Sequence, residues 1–110
     1  MAILNYYQDK GSPITAEVVT NPIYIKEPDQ LKIIDKVYFF TEPQTTLKAL
    51  ISYDNGDWEM LGQLDKSPKR FDCGMKKAYQ IRFKLIEASS SKPFQWDGYQ
   101  IIYELSEERR

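Results

Sequence analysis

The feature of this 110-residue sequence that most restricts its fold is a two-residue alternation of apolar and polar side chains. It is clearest over residues 78–86, where the apolar positions are Tyr79, Ile81, Phe83 and Leu85 and the polar ones are Gln80, Arg82 and Lys84. Because successive side chains of a β-strand point to opposite faces, this pattern predicts a strand with one buried face. The same period recurs over residues 31–41 and 45–53, which we predict to be two further strands.

Turn signals divide the chain into short segments. The sequence Asp54-Asn55-Gly56-Asp57 predicts a tight hairpin between the strand at 45–53 and a strand at 58–64, since Asn-Gly tolerates positive φ values. Shorter β-rich segments bring the total to about eight strands, and no amphipathic segment reaches the roughly 10 residues of a typical helix. We therefore predict an all-β fold, an antiparallel β-sandwich of jelly-roll type.

The length of the chain corresponds to one domain. Apolar residues make up 42% of it and aromatic residues 14%, which is enough for a packed core. Residues 1–13 show neither the strand period nor the helix period, so we expect an extended N-terminal arm before a sandwich domain at 14–105. Residues 106–110 are polar and are expected to form a C-terminal tail.

The residues needed for common catalytic sites are absent or isolated. The sequence contains no histidine, which removes Ser-His-Asp and Cys-His sites and histidine-ligated zinc. Its five glycines are isolated from one another, so they form no phosphate-binding loop. Cys73 is a candidate nucleophile only if Arg70, Lys76 or Lys77 lowers its pKa, and a buried or incidental thiol is the favoured interpretation. We predict a protein that is not an enzyme and that uses no cofactor or metal.

A cluster of carboxylates near the predicted hairpin offers a competing, enzymatic hypothesis. Asp54, Asp57 and Glu59 lie close together, and a glycosidase needs only two carboxyl groups across a groove. The same segment contains oxygen ligands suited to calcium, but it lacks the full spacing of a calcium-binding loop. A solvated hairpin turn accounts for these residues and is the preferred interpretation.

Positive charge is concentrated in one part of the chain. Residues 66–84 contain a single acid, Asp72, and seven basic residues: Lys66, Lys69, Arg70, Lys76, Lys77, Arg82 and Lys84. Because the whole chain has a net charge of −1, the remaining segments are acidic. A basic surface can pack on a neighbouring subunit in a symmetric oligomer, or contact a nucleic-acid backbone without reading its sequence. A solvated surface with no partner is the alternative.

Aromatic residues suggest a second kind of binding surface. Trp58, Trp96 and Tyr99 could form a platform on which sugar rings stack, as in carbohydrate-binding modules with a sandwich fold. The competing interpretation is that most of these rings fill the core. Their exposure decides between the two, and the sequence does not determine exposure.

The sequence carries no visible export or membrane-spanning signal. No basic segment followed by an apolar one occurs near Met1, and no apolar run approaches the roughly 18 residues of a spanning helix. Cys73 is the only cysteine, as expected for a chain that folds by packing alone in a reducing compartment. We expect an intracellular or virion protein without membrane contact.

Four segments carry a similarity to known proteins: LKIIDKVY at 31–38, DNGDW at 54–58, AYQIRFK at 78–84 and FQWDGYQIIYE at 94–104. With these segments the chain, from residue 31 to 105, resembles β-sandwich domains of structural proteins from tailed bacteriophages. The similarity is to tail-accessory, neck and DNA-stabilisation proteins. Sugar-binding sandwiches share this layout, so a carbohydrate-binding module is the alternative.

The resemblance implies a role as well as a fold. It implies a virion structural subunit, made in the host cytoplasm, that binds other virion proteins in a symmetric assembly. It brings no catalytic residues with it. Longer members of the group have several domains, so a single module of this kind is expected as a small neck, tail or capsid-decorating subunit.

Overall fold

The computed structural model describes residues 2–7, 13–14, 17–25, 27–42, 47–87 and 94–109. Within these ranges the chain forms nine strands and no helix, which confirms the predicted all-β class. The strands are β1 Ala2–Tyr7, β2 Pro13–Ile14, β3 Glu17–Val19, β4 Gln30–Thr41, β5 Leu47–Tyr53, β6 Glu59–Gln63, β7 Lys69–Ala78, β8 Ile81–Glu87 and β9 Phe94–Arg109. None of the described segments is a helix long and apolar enough to cross a membrane.

Two antiparallel sheets form the sandwich. The strand order is β1-β9-β4-β7 in the first sheet, with β2 also paired to β9, and β3-β8-β5-β6 in the second. Apart from the two-residue β2, the first strand pairs with the last, β3 with β8, β4 with β7, and β5 with β6. This nested pairing is the topology of a jelly roll, so the predicted jelly-roll sandwich is confirmed.

The core lies between the two sheets and is centred on aromatic rings. Phe39, Trp96 and Tyr99 come from the first sheet and Phe83 from the second. The ring centroids of Phe83 lie 4.9 Å from Phe39 and 5.2 Å from Tyr99, both edge-on. Edge-to-face pairs of this kind add stability beyond the area they bury, so this cluster joins the two sheets.

The predicted hairpin connects β5 and β6. Asp54 and Asn55 have φ values of 52° and 60°, and the N–H of Gly56 donates to the carbonyl of Tyr53 at 2.9 Å. Positive φ at both central residues defines a type I′ turn, which matches the twist of paired strands. The turn is centred one residue earlier than the Asn-Gly pair that the sequence favoured.

The described part of the expected N-terminal arm is a strand of the first sheet. Ala2–Tyr7 is extended, but it is the edge strand β1 and pairs with β9 along its whole length. Leu4 packs against the core. The sequence AILNYY is apolar on both alternating faces at its start, so the two-residue period does not reveal it as a strand. Residues 8–12 of the expected arm lie outside the described residues.

The C-terminal segment also differs from its prediction. A polar tail was expected at 106–110, whereas β9 continues as far as Arg109. Within β9, the register with β4 shifts at Gly98, which has a φ of 152°. Gln30 holds the tail as a strand in two ways. It pairs with Arg109 in the sheet, and the side-chain amide of Gln30 donates to the carbonyl of Ser106 at 3.1 Å.

Candidate functional site

The seven basic residues of segment 66–84 do not form one surface. They lie in three places: Lys66, Lys69 and Arg70 where β7 begins, Lys76 and Lys77 where it ends, and Arg82 and Lys84 on β8 of the other sheet. A bulge in β7 separates the first two groups. There Cys73, Gly74 and Met75 interrupt the pairing with β4, and both Gly74 and Met75 have positive φ.

The first group surrounds a cavity of about 330 Å³ that is open to solvent. We call it the cationic pocket, and its lining residues are Tyr38, Lys66, Pro68, Lys69 and Arg70. Tyr38 on β4 faces Arg70 on β7 as a cross-strand pair, so their side chains share the outer face of the first sheet. The lysines come from the β6–β7 connection and the first residue of β7.

Two carboxylates lie beside the pocket without lining it. The ammonium of Lys69 is 3.0 Å from Asp65, and the Nε of Arg70 is 3.6 Å from Asp72. The hydrogen bond from Lys69 is the main cause of a lowered pKa for the Asp65 carboxyl. Lys66 forms no ion pair with any residue that the structure describes. The three cations of the pocket therefore exceed the acids beside them.

The two cations on β8 lie against an aromatic ring. The ammonium of Lys84 lies 4.6 Å from the ring centroid of Trp58, and the guanidinium of Arg82 lies 5.5 Å from it. Such cation–π contacts hold both charges against the ring. Arg82 also donates through Nε to the carbonyl of Thr20 at 3.3 Å.

The proposed sugar platform is corrected by the structure. Trp96 is only 6% exposed and Tyr99 only 9%, because both rings belong to the core. They share the inner face despite an odd spacing because the register shift at Gly98 reverses the alternation of β9. Trp58 alone of the three is on the surface, and it is half-buried beneath two cations.

Among the carboxylates near the hairpin, Asp54 is engaged by the backbone. One oxygen of Asp54 accepts hydrogen bonds from the backbone N–H groups of Tyr79 and Gln80, at 2.8 and 3.0 Å. Asp54 therefore ties the β5–β6 hairpin to the β7–β8 turn, while Asp57 and Glu59 are exposed. Across the described residues, no three His, Cys, Asp or Glu side chains are grouped to hold a metal ion.

Cys73 lies half-buried on β7 in contact with Tyr53. Burial is the main cause of a raised pKa for its thiol, and the nearby Asp72, Asp35 and Glu59 raise it further. Burial and these carboxylates act against the lowering of the pKa that the sequence hypothesis required from Arg70, Lys76 or Lys77. A thiol with a raised pKa is a poor nucleophile at neutral pH.

The sequence did not reveal the buried role of Lys32. Its side chain is 1% exposed, and its ammonium donates to the carbonyls of Glu27 and Tyr79, each at 2.8 Å. The alternation in the sequence placed Lys32 on the polar face of β4 and placed Val37 and Phe39 on the other face. A bulge at Asp35 reverses the alternation and turns Lys32 toward the core.

The edge strands are a second candidate surface. β3 has three residues, β6 has five and a register shift, and β7 is bulged and basic. Short length, bulges and charges are the features by which proteins prevent unwanted pairing at sheet edges. β1 has none of them: its six residues include no charge and no proline, and Ile3 is 53% exposed.

No protein-family model and no curated protein matches the chain. The features of the chain that bear on its function are therefore the fold, the edge strand β1 and the cationic pocket.

Proposed function

We propose that the chain is a non-enzymatic structural subunit of a bacteriophage virion, a neck, tail or capsid-decorating protein that binds neighbouring subunits through β1. The jelly roll is a common architecture of viral coat domains. Because this fold also carries other functions, the role of this particular chain depends on its surface. The resemblance of residues 31–105 to tailed-phage domains favours the virion over the other settings in which jelly rolls occur.

The observation that carries this proposal is the unprotected edge of β1. Of the strands described, β1 pairs only with β9, so the backbone groups on its other side are available to a strand of a neighbouring subunit. Adding a strand to such an edge gives affinity through main-chain hydrogen bonds. On the outer face, exposed Ile3 stands beside Ile102 of β9 and extends the contact with apolar surface.

Symmetry favours a second copy of the chain as the neighbour at this edge. Two antiparallel β1 strands related by a two-fold axis would present the same surface to each other. Because β1 carries no charge, such a pair brings no like charges together. The two first sheets would then join into one continuous sheet across the interface.

The described side chains support a role without catalysis. Asp54 is engaged by two backbone N–H groups, and the pKa of the Cys73 thiol is raised. Asp54 is one of the three candidate acids that the sequence offered, and Cys73 is the candidate nucleophile. Their contacts are those of residues that hold the fold.

An edge variant tests the contact through β1. Ile3→Lys puts a charge beside the open edge, and Met60→Lys puts the same charge at an exposed position of the second sheet. We expect the unmodified chain to form oligomers in sedimentation velocity, Ile3→Lys to dissociate them, and Met60→Lys to leave them intact. Both variants should keep a free energy of unfolding within about 0.5 kcal/mol of the original. Equal oligomerisation of all three proteins would contradict a contact at β1.

The virion setting has its own measurement. Quantitative mass spectrometry of purified particles of the encoding phage should give this chain a fixed whole-number ratio to the major capsid protein. The ratio identifies the symmetry of its position, whether in the shell, the neck or the tail. If intact particles lack the chain, the virion proposal is wrong.

A further inference from the structure

We propose that the cationic pocket binds a phosphate group, carried either by a nucleic-acid backbone or by a small phosphorylated ligand. This inference is independent of the contact through β1, because β1 and β7 form opposite edges of the first sheet. The site is smaller than the basic segment of the sequence. It uses Lys66, Lys69 and Arg70 and leaves the other four basic residues out.

Hydrogen-bond donors without an intramolecular acceptor line the pocket. The ammonium of Lys66, the hydroxyl of Tyr38 and the terminal nitrogens of Arg70 bond to no residue in the described part of the chain. Only the Nε of Arg70 approaches a carboxylate, that of Asp72, so the outer fork of the guanidinium remains available. Charged donors of this type form short, strong bonds to phosphate oxygens, and Arg can do so with two parallel bonds.

Lys69 can join these donors when a phosphate binds. Its ion pair with Asp65 is at the surface, where the Asp65 side chain is 50% exposed and the Lys69 side chain 25%. Its ammonium also lies 6.0 Å from the ring centroid of Phe71. An exposed pair of this kind contributes little free energy, so its rearrangement costs little. A phosphate carries up to two negative charges and would meet three cations, whereas each cation now meets one carboxylate at most.

The dimensions of the pocket suit a phosphate with its attached group. Its volume, about 330 Å³, lies near the lower end of the roughly 300–1,000 Å³ typical of small-ligand sites. The ring of Tyr38 and the side chain of Pro68 supply apolar wall beside the three cations. Because the pocket is open to solvent, a continuous nucleic-acid strand can also present one phosphate to it.

The remaining basic residues have other contacts. The ammonium of Lys76 lies 5.7 Å from the ring centroid of Tyr53, beyond the bulge. Arg82 and Lys84 lie against Trp58 in the other sheet. A ligand attracted only by the net positive charge of the segment would depend on all seven basic residues. A phosphate bound in the pocket depends on Lys66, Lys69 and Arg70. This difference makes the proposal testable.

Two double variants with equal loss of charge separate the pocket from general electrostatics. Lys66→Gln with Arg70→Gln removes two pocket cations, and Lys76→Gln with Lys77→Gln removes two cations further along β7. Each protein is titrated with inorganic phosphate and with a short single-stranded oligothymidylate, and amide chemical shifts are followed by NMR. Thermal melting of both variants verifies that the fold is intact.

We expect phosphate to shift the amide signals around Tyr38, Lys69 and Arg70 in the original chain and in the Lys76/Lys77 variant. The pocket variant should bind about tenfold more weakly or worse, since each charged hydrogen bond contributes substantially. Equal weakening in both variants, or no shift with either probe, would overturn the proposal.

The oligonucleotide distinguishes the source of the phosphate. A nucleic-acid backbone predicts tighter binding than inorganic phosphate, a steep decrease with salt, and a salt slope reduced by about 1.4 in the pocket variant, since each contact of a cation with a single strand contributes about 0.7. If the two probes bind with equal affinity and the pocket variant loses binding to both, the site is assigned to a small phosphorylated ligand. Ile3→Lys should bind phosphate normally, so failure of the subunit contact and failure of this site are separable.

Discussion

The ammonium group of Lys32 lies inside the end of the sandwich, where two backbone carbonyls accept its hydrogen bonds. One carbonyl belongs to Glu27, just before β4, and the other to Tyr79, in the β7–β8 turn. The lysine therefore joins two connections that come from distant parts of the sequence. A buried charge costs free energy unless it is fully hydrogen-bonded, so this arrangement depends on both acceptors.

Replacing Lys32 tests this connection. Lys32→Met keeps the length of the side chain but removes the donors to the carbonyls of Glu27 and Tyr79. We expect the free energy of unfolding in urea to decrease by about 2–4 kcal/mol. Lys36→Met on the same strand is the control, because Lys36 is partly exposed and its ion pair with Asp35 is long, at 3.8 Å. A loss below about 0.5 kcal/mol for Lys32→Met would contradict the role of the lysine.

The pair of Tyr53 and Cys73 predicts a loss of stability at alkaline pH. Burial is the main cause of a raised pKa for both groups. As the pH rises through about 8.5 for cysteine and about 10 for tyrosine, the unfolded chain loses protons from these groups while the folded chain keeps them. The contribution to stability is therefore complete near pH 7 and decreases as the pH rises through these values. Urea unfolding at pH 7, 9 and 10.5 should give a decrease that Tyr53→Phe together with Cys73→Ala reduces; an unchanged decrease in this double variant would contradict it.

At the scale of strands, the sequence predicted most of the sheet but not its irregular points. β5 and β8 were recognised because their alternation is unbroken. In β4 the alternation reverses at the bulge of Asp35, and in β9 it reverses at Gly98. The sequence alone therefore could not place Lys32 and Trp96 on the inner face of the sheet. A bulge inserts one residue into a strand, and no local pattern in these segments announces it.

The edge strand β1 gives a direct test of the strand assignment at the N-terminus. Leu4 packs on the core and its neighbour Ile3 faces solvent. We expect Leu4→Ala to decrease the free energy of unfolding by about 1–3 kcal/mol, and Ile3→Ala to change it by less than about 0.5 kcal/mol. Measurement at a concentration where the chain is monomeric separates folding from assembly. Equal effects of the two substitutions would mean that residues 2–7 are a free arm.

At the scale of the whole molecule, the charge block predicted from sequence is divided by topology. β7 and β8 are consecutive in sequence but belong to different sheets, so the cations at 69–70 and those at 82–84 occupy different sheets. Counting charges along the chain could therefore find the basic residues but not the pocket. The sequence also did not show that Tyr38 lines the pocket, because its strand β4 is distant in sequence from its partner β7.

The two sheets should unfold together, because the rings of Phe39, Trp96 and Tyr99 from the first sheet pack around Phe83 from the second. The two tryptophans report on different layers: Trp96 lies in this core, and Trp58 lies on the second sheet beneath Arg82 and Lys84.

Trp58→Phe leaves Trp96 as the only tryptophan, and Trp96→Phe leaves Trp58. For each variant we expect fluorescence and far-UV circular dichroism to give the same urea midpoint and the same slope, about 1–3 kcal/mol per molar. The midpoint of Trp96→Phe should be the lower of the two, because that substitution removes a buried ring from the core. If the fluorescence of Trp58 changed at lower urea than the dichroism of the same variant, the second sheet would open independently and the core rings would not couple the two sheets.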